Sequence, residues 1–356
     1  MSVSESSENH PVGENSASGG SARPFAPEDL PPVEPPSAGF IVQLFVVPAV
    51  IVGVILGVWA LFRMSASSDY DWERQIGELR QENEHRRWRG ANSLVQMLQA
   101  DARAGEQSQN LRANPDLAEK LGGVLREQVA KGDSSEENRK LQAYLIIALG
   151  WLDAHDATVP LLIESTAPSR DPEVRQNALT SLAMIAGREF EAGGYLDRAE
   201  VSAALLSASQ DADPKIRQLA VYTLGLLAPE VGGQRVRTML EDTDDYVRVN
   251  AAIALARGKS SDGLAVLESV LDRAVNEPSA IAELEGDDPE ARNEANAREI
   301  ELRVMTLNAL QAILELAPQL SASERERVSP LVDSLADDFR DPKIIQKAQD
   351  VRQAFR

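Results

Sequence analysis

Two hydrophobic patterns divide the chain. From Gly39 to Phe62 the sequence reads GFIVQLFVVPAVIVGVILGVWALF, without one charged residue and with Gln43 as its strongly polar side chain. A helix of twenty-odd residues is about 30–36 Å long, enough to cross a hydrocarbon core of about 30 Å. Pro48 would break a helix in water but is tolerated where neighbouring groups adjust. Trp59 and Phe62 suit the interface at the C-terminal end, and Arg63 stops the run. The pattern predicts one transmembrane helix over 39–63. A cleaved signal peptide is the competing reading, with Ser65-Ala66-Ser67 as a weak cleavage site. Such a peptide has a basic start and a shorter apolar stretch, whereas here an acidic stretch comes first.

Beyond residue 69 the apolar positions follow a helical period. In Asp213-Pro214-Lys215-Ile216-Arg217 an Asp is followed by Arg four residues later, Ala220 seven later and Leu224 eleven later. Asp171 leads in the same way to Arg175, Ala178 and Leu182, and Asp244 to Arg248, Ala251 and Leu255. Weaker copies start at Asn83, Asn138, Glu299 and Asp341, the last failing at Arg352. Offsets of 4, 7 and 11 stay on one helical face. Asp followed by Pro reads as an N-cap and first helical residue. Another apolar-periodic stretch precedes each such helix: 159–163, 201–206, 236–240 and 264–271. The repeating unit is therefore two helices, A then B, joined by a short turn.

The pattern Asp-Pro-x-[Val/Ile]-Arg-x-x-Ala-x-x-x-Leu resembles the second helix of a HEAT repeat, of the HEAT-like variety also found in phycobilisome lyases. The resemblance covers about residues 82–356 and is clearest over 155–260. With its tail and single apolar run, the whole chain resembles the membrane-anchored HEAT-repeat proteins of bacteria. It implies an all-α fold, an armadillo-type α-α superhelix of about seven helical pairs over 69–356, with the B helices lining its concave face. It implies a binding scaffold more often than a catalyst. In this family the turn Asp and the B-helix Arg commonly form a ladder between repeats. Here the ladder maps onto Asp171, Asp213 and Asp244 with Arg175, Arg217, Arg248 and Arg303. A recurring pair of this kind is more economically structural than a ligand site.

Departures from the repeat mark other places. In the first pair, Trp72 and Trp88 either cover the open end of the stack or, with Arg86, Arg87 and Arg89, touch a membrane surface. Residues 101–114 and 187–196 are short polar insertions. The segment 274–296 carries seven acidic residues and one Arg. It reads as a solvated acidic insertion, without the alternating Asp order of a calcium loop. Residues 1–38 hold eight Ser, seven Pro and six acidic residues. They read as a disordered tail, too poor in apolar residues to offset chain entropy.

Composition narrows the chemistry. There is no Cys, which excludes disulfides, thiolate metal sites and a catalytic thiol. The three His, at 10, 85 and 155, are scattered and none precedes Glu, so an iron site of paired His-Glu motifs is not expected. Gly258-Lys259-Ser260 resembles the end of a phosphate loop, but Ile253 stands where that loop needs Gly. A net charge of −20 argues against nucleic acid as partner.

The expectation is a membrane-tethered, non-enzymatic scaffold without cofactor or metal, which holds a protein or peptide partner along its concave face. The first alternative is a lyase-like or chaperone-like subunit acting on a bound polypeptide or cofactor. The second is an envelope spacer whose tail is the working part. Arg63, Arg74 and Arg80 follow the apolar run and Arg23 alone precedes it. The positive-inside rule thus favours a cytoplasmic solenoid on a bacterial inner membrane.

Overall fold

A computed structural model describes residues 71–277 and 288–356, together with Val52, Ile55 and Leu56. The expected tail, 1–38, lies outside the described residues. So does the expected membrane helix, 39–63, apart from those three positions. The chain divides into two units, Met1–Ser68 and Asp69–Arg356. Among the described residues no helix is long and apolar enough to cross a membrane, and none is in a strand.

Among its described residues the second unit holds fourteen α-helices. They are α1 (Trp72–Leu79), α2 (Glu84–Arg103), α3 (Pro115–Ala130), α4 (Glu136–Gly150), α5 (His155–Ser165), α6 (Pro172–Glu191) and α7 (Ala199–Ala208). Then come α8 (Pro214–Leu224), α9 (Pro229–Thr238), α10 (Asp245–Arg257), α11 (Leu264–Asn276), α12 (Pro289–Leu316), α13 (Ala322–Asp338) and α14 (Pro342–Ala354). Each odd-numbered helix packs on the even-numbered one that follows, giving seven A/B pairs. Every B helix also packs on the next B helix, from α2 through α14, and most A helices on the next A helix. The result is a two-layered stack of repeats.

The caps explain where the B helices begin. Asp171, Asp213 and Asp341 each accept a hydrogen bond from the second helical N–H, at 2.9, 2.9 and 2.7 Å, with Pro as the first helical residue. Pro has no N–H to leave unsatisfied there, and the carboxylate answers one that would be. Asp244 caps α10 through the Val247 N–H at 3.0 Å.

The offsets set the packing. Ala178, Ala220 and Ala251 at offset 7 are fully buried, and Leu182, Leu224 and Leu255 at offset 11 are buried beside them. Small residues at offsets 12 and 10 let consecutive B helices approach. A Cβ on Gly150 would lie 2.7 Å from the Ser181 Cβ, and one on Gly225 would lie 2.5 Å from the Ala254 Cβ. Any larger side chain at either glycine has to displace the next helix.

Two apolar cores result. One runs from Ile76 to Leu255 and the other from Val249 to Val351. They meet in α10, whose Val247, Ala251 and Leu255 join the first and whose Val249, Ala252 and Ile253 join the second.

Four expectations are corrected. Asn138 does not start its helix: Ser135 caps α4, and Asn138 is buried, donating through Nδ2 to the Asp133 carbonyl at 2.6 Å. Glu299 lies inside α12, which starts at an Asp288-Pro289 cap. Of the insertion read as 274–296, residues 274–276 belong to α11 and 289–296 to α12, while 278–287 lie outside the described residues. The 101–114 segment is also less open than its polarity suggests. Asp101 is buried and accepts from the N–H groups of Gln109 at 2.5 Å and Leu111 at 2.8 Å, folding the loop back on α2.

Candidate functional site

The expected ladder residues sit along the turns that lead into the B helices. Arg175, 7% exposed, donates from its guanidinium to the Asp211 carboxylate in the next repeat and, through Nε, to the Thr166 carbonyl of its own repeat at 3.3 Å. Arg217 grips Asp242 with two hydrogen bonds, Nε to Oδ2 at 2.9 Å and Nη2 to Oδ1 at 2.7 Å. Its Nη1 also donates to the Asp211 and Ala212 carbonyls at 2.9 and 3.0 Å.

The acidic partner of the arginine is thus not the N-cap Asp but the Asp two residues before it. The N-cap Asp takes the amide that follows each Arg. Gln176 donates to Asp213 at 3.3 Å and Gln218 to Asp244 at 2.9 Å. Asp211 and Asp242 each also accept from the N–H of that N-cap residue, at 2.9 Å. The sequence signal for this second layer is Arg-Gln followed in the next repeat by Asp-x-Asp. It occurs twice, as Arg175-Gln176 with Asp211-Ala212-Asp213 and as Arg217-Gln218 with Asp242-Thr243-Asp244.

The ladder changes at its ends. The Arg139 Nε stands 3.7 Å from Asp171, a looser contact. Arg248 turns back on its own helix and meets Asp245, with Nη1 on the Asp242 carbonyl at 2.7 Å. Arg303 pairs with the N-cap Asp341, and its side chain is 43% exposed. Hydrogen bonds from Arg217 hold the Asp242 carboxyl below the usual carboxylate range, against the opposing effect of burial. For Asp211 burial is the largest influence and pushes upward. Hydrogen bonds from Arg175 and the Asp213 N–H outweigh it, so the pKa is lowered. These groups are occupied by one another, and they offer structure rather than chemistry.

The tryptophans of the first pair are turned into the stack. Trp88 packs edge-on to Tyr144, 5.9 Å between centroids, and the Tyr144 hydroxyl donates to the Ala91 carbonyl at 2.6 Å. Trp72 packs on the same core and carries Lys120 Nζ 4.8 Å from its ring centre. Arg86 and Arg89 lie 3.9 and 3.6 Å from Glu78. Gly258-Lys259-Ser260 closes α10: the Lys259 and Ser260 N–H groups donate to the Ala256 and Leu255 carbonyls at 2.9 Å each. Among the described residues no cluster of His, Asp or Glu could hold a metal ion.

The outward face of the B row lies opposite the buried offsets 3, 7 and 11, at offsets 2, 6 and 9 on α6 and α8, whereas on α10 Ile253 at offset 9 is buried in the second core. Tyr222 on α8 is exposed there, with Asn177 on α6 and Asn250 on α10 half-buried. On α12, Ile300 and Val304 are exposed four residues apart. At one edge of this face a cavity of about 60 Å³ opens between the C-terminal ends of α6, α8 and α10 and helix α9.

Residues 201–285 match the family of HEAT repeats. The match begins in α7 and includes α8 to α11, the region where the ladder is most regular. The described residues from 71 onward form an all-helical stack of repeats. A bilin biosynthesis protein, MpeU of Synechococcus sp. (strain WH8020), is 29% identical over 134 residues, 37% of this chain and 40% of that protein. The chain thus spans about two fifths of the curated relative it matches. An archaeal HEAT-like repeats protein of Thermococcus onnurineus NA1 is similar over 74% of this chain and 96% of its own, at 16% identity and a TM-score of 0.37. A designed armadillo repeat protein is similar over 74% of this chain and 100% of its own, at 17% identity and a TM-score of 0.37.

Proposed function

We propose that this protein is a membrane-tethered repeat scaffold, without catalysis of its own, that holds a protein or peptide partner along the outward face of its B helices. The observation that carries the reading is the distribution of open positions. Asn177, Tyr222, Asn250, Ile300 and Val304 are spread over four successive B helices instead of converging on one centre. The ladder charges beside them are consumed in pairs. An extended face of apolar and amide groups suits a polypeptide bound by many modest contacts.

The tether rests on residues 39–63. Val52, Ile55 and Leu56 are helical and more than half exposed within that charge-free run, as apolar side chains in a lipid setting would be. The excess of Arg after the run supports a cytoplasmic stack on a bacterial inner membrane. The similarity to a bilin biosynthesis protein supports a second reading, a lyase-like or chaperone-like subunit using the same face to present a polypeptide.

The test is site-specific photocrosslinking of the full chain in its membrane, combined with protease treatment of sealed inner-membrane vesicles and spheroplasts. Crosslinkers at Asn177 and Ile300 are expected to give one discrete adduct, and one at Gln234 on the A row none. The adduct should disappear in Ile300→Lys. Equal labelling from both rows would sink the scaffold reading. Digestion of the stack in spheroplasts would place it on the other side of the membrane.

A further inference from the structure

The cavity at the edge of the B row has walls of opposite character. Phe190, Leu224, Leu227 and Val236 supply apolar surface. Gly233 leaves the wall on α9 open: a Cβ there would meet nothing nearer than Arg237 Nη1 at 3.9 Å. At about 60 Å³ the space holds several waters or one branched aliphatic side chain.

Arg237 and Arg257 line the same space. Arg237 is neutralised by Asp262, with Nε to Oδ2 at 2.6 Å. Arg257 is not. Its guanidinium lies over the Tyr222 ring, 5.0 Å from the centroid, and its Nη1 is buried and donates no hydrogen bond. A cation is favoured in the last turn of α10, at the negative end of the helix dipole, which explains how Arg257 holds that place without a carboxylate. Arg257 makes no ion pair with any described residue, and a ligand carboxylate that reaches its guanidinium gains a charge-assisted pair.

The acceptor that a guanidinium fits best is a carboxylate. An apolar recess beside it selects a carboxylate with an aliphatic group on the adjoining carbon. A polypeptide chain that ends in Leu, Ile or Val carries both on one carbon. We infer that this cavity is a receptor for the C-terminal residue of a partner polypeptide, with Arg257 on the terminal carboxylate and the last side chain in the recess. The inference rests on the scaffold reading and adds the anchor chemistry to it. It runs against the net charge of −20, which by itself favours basic partners. The two are compatible, because an acidic surround rejects carboxylates that lack the apolar contact.

The experiment uses the full-length protein in detergent and fluorescence polarisation of a labelled Gly-Ser decapeptide ending in leucine. The free acid is expected to bind at least tenfold more tightly than its C-terminal amide, as loss of a charge-assisted hydrogen bond requires. Arg257→Gln should erase that preference. Gly233→Phe, which has open space at its Cβ, should weaken the acid by about tenfold while the melting curve stays cooperative. Equal binding of acid and amide, an acid preference that survives Arg257→Gln, or no binding at millimolar peptide would each overturn the inference. Competition by N-acetyl-leucine as strong as that of the peptide would assign the site to a free small acid, and also overturns it. The crosslinks from Asn177 and Ile300 do not depend on the cavity, so the scaffold reading fails or survives separately.

Discussion

Helices α6, α8 and α10 and helices α12 and α14 share one repeat register, but they are joined in different ways. Between α6, α8 and α10 the turns are short and each arginine reaches a carboxylate in the next repeat, with Arg217 and Asp242 only 13% and 12% exposed. Between α10 and α12 the residue two before the Asp288 cap is Gly286 instead of Asp, and Arg248 folds back onto Asp245. The next link, Arg303 to Asp341, is made at the surface. The apolar contacts continue throughout: Leu310 and Ile313 on α12 and Ala348 and Val351 on α14 are fully buried, as Ala220 and Val221 are on α8. Packing is therefore the constant of the stack. The polar ladder is a second fastening that needs a short turn bearing Asp-x-Asp.

The largest expected effect compares two equivalent arginines. Arg217→Ala leaves the Asp242 carboxylate mostly buried without its partner and should cost about 3 kcal/mol. Arg248→Ala removes an exposed pair and one carbonyl contact and should cost about 1 kcal/mol or less. Urea unfolding of both variants measures the difference. Equal costs would mean that the ladder adds nothing to the central repeats beyond what its surface copy adds.

A smaller effect follows from acid. Asp211 and Asp242 have lowered pKa values in the folded protein. Their contribution is complete above the unfolded carboxylate value of about 3.9. It is lost as pH falls below that value and through the lower folded one. Stability of the wild type should thus drop steeply below about pH 4. Asp242→Asn should begin less stable and lose less on acidification. The variant curve running parallel to the wild type would show that Asp242 does not titrate with unfolding.

Most of this architecture was written in spacing. The Asp-Pro caps at 171, 213 and 341 and the offsets to Ala and Leu located the B helices, because a cap and a buried face are local demands on residue type. The ladder was half legible. Spacing points to the arginine at offset 4 and to the capping Asp, since a cap is recognisable in one repeat alone, but Arg175 and Arg217 meet Asp211 and Asp242 instead. Asp211 and Asp242 become visible only when Arg-Gln in one repeat is compared with Asp-x-Asp in the next. The start of α12 was hidden by charge: Asp287-Asp288-Pro289-Glu290 contains the same cap as the other helices, inside a stretch whose acidity suggested a loop. The Arg257 cavity was illegible, because it is assembled from the ends of four helices in three repeats.

The smallest predicted effect tests how the two regions are tied at α10. After α10, Gly258 keeps a right-handed backbone, and Lys259 takes the left-handed position with φ of 62°. Glycine is the residue that fits there without strain. Lysine in that conformation costs about 1 kcal/mol, while glycine adds freedom to the unfolded chain and returns part of the gain. Lys259 Nζ also donates to the Glu315 carbonyl at 3.3 Å, an exposed contact between the end of α10 and the end of α12. Were that contact trivial, Lys259→Gly should stabilise the protein by about 0.5 kcal/mol. Lys259→Ala removes the contact and keeps the strain, so it isolates the contact itself. If both variants are destabilised alike, the lysine is a tie between the regions, added where the ladder is missing. If glycine gains and alanine is neutral, the two regions are held together at this point by packing through α10 alone.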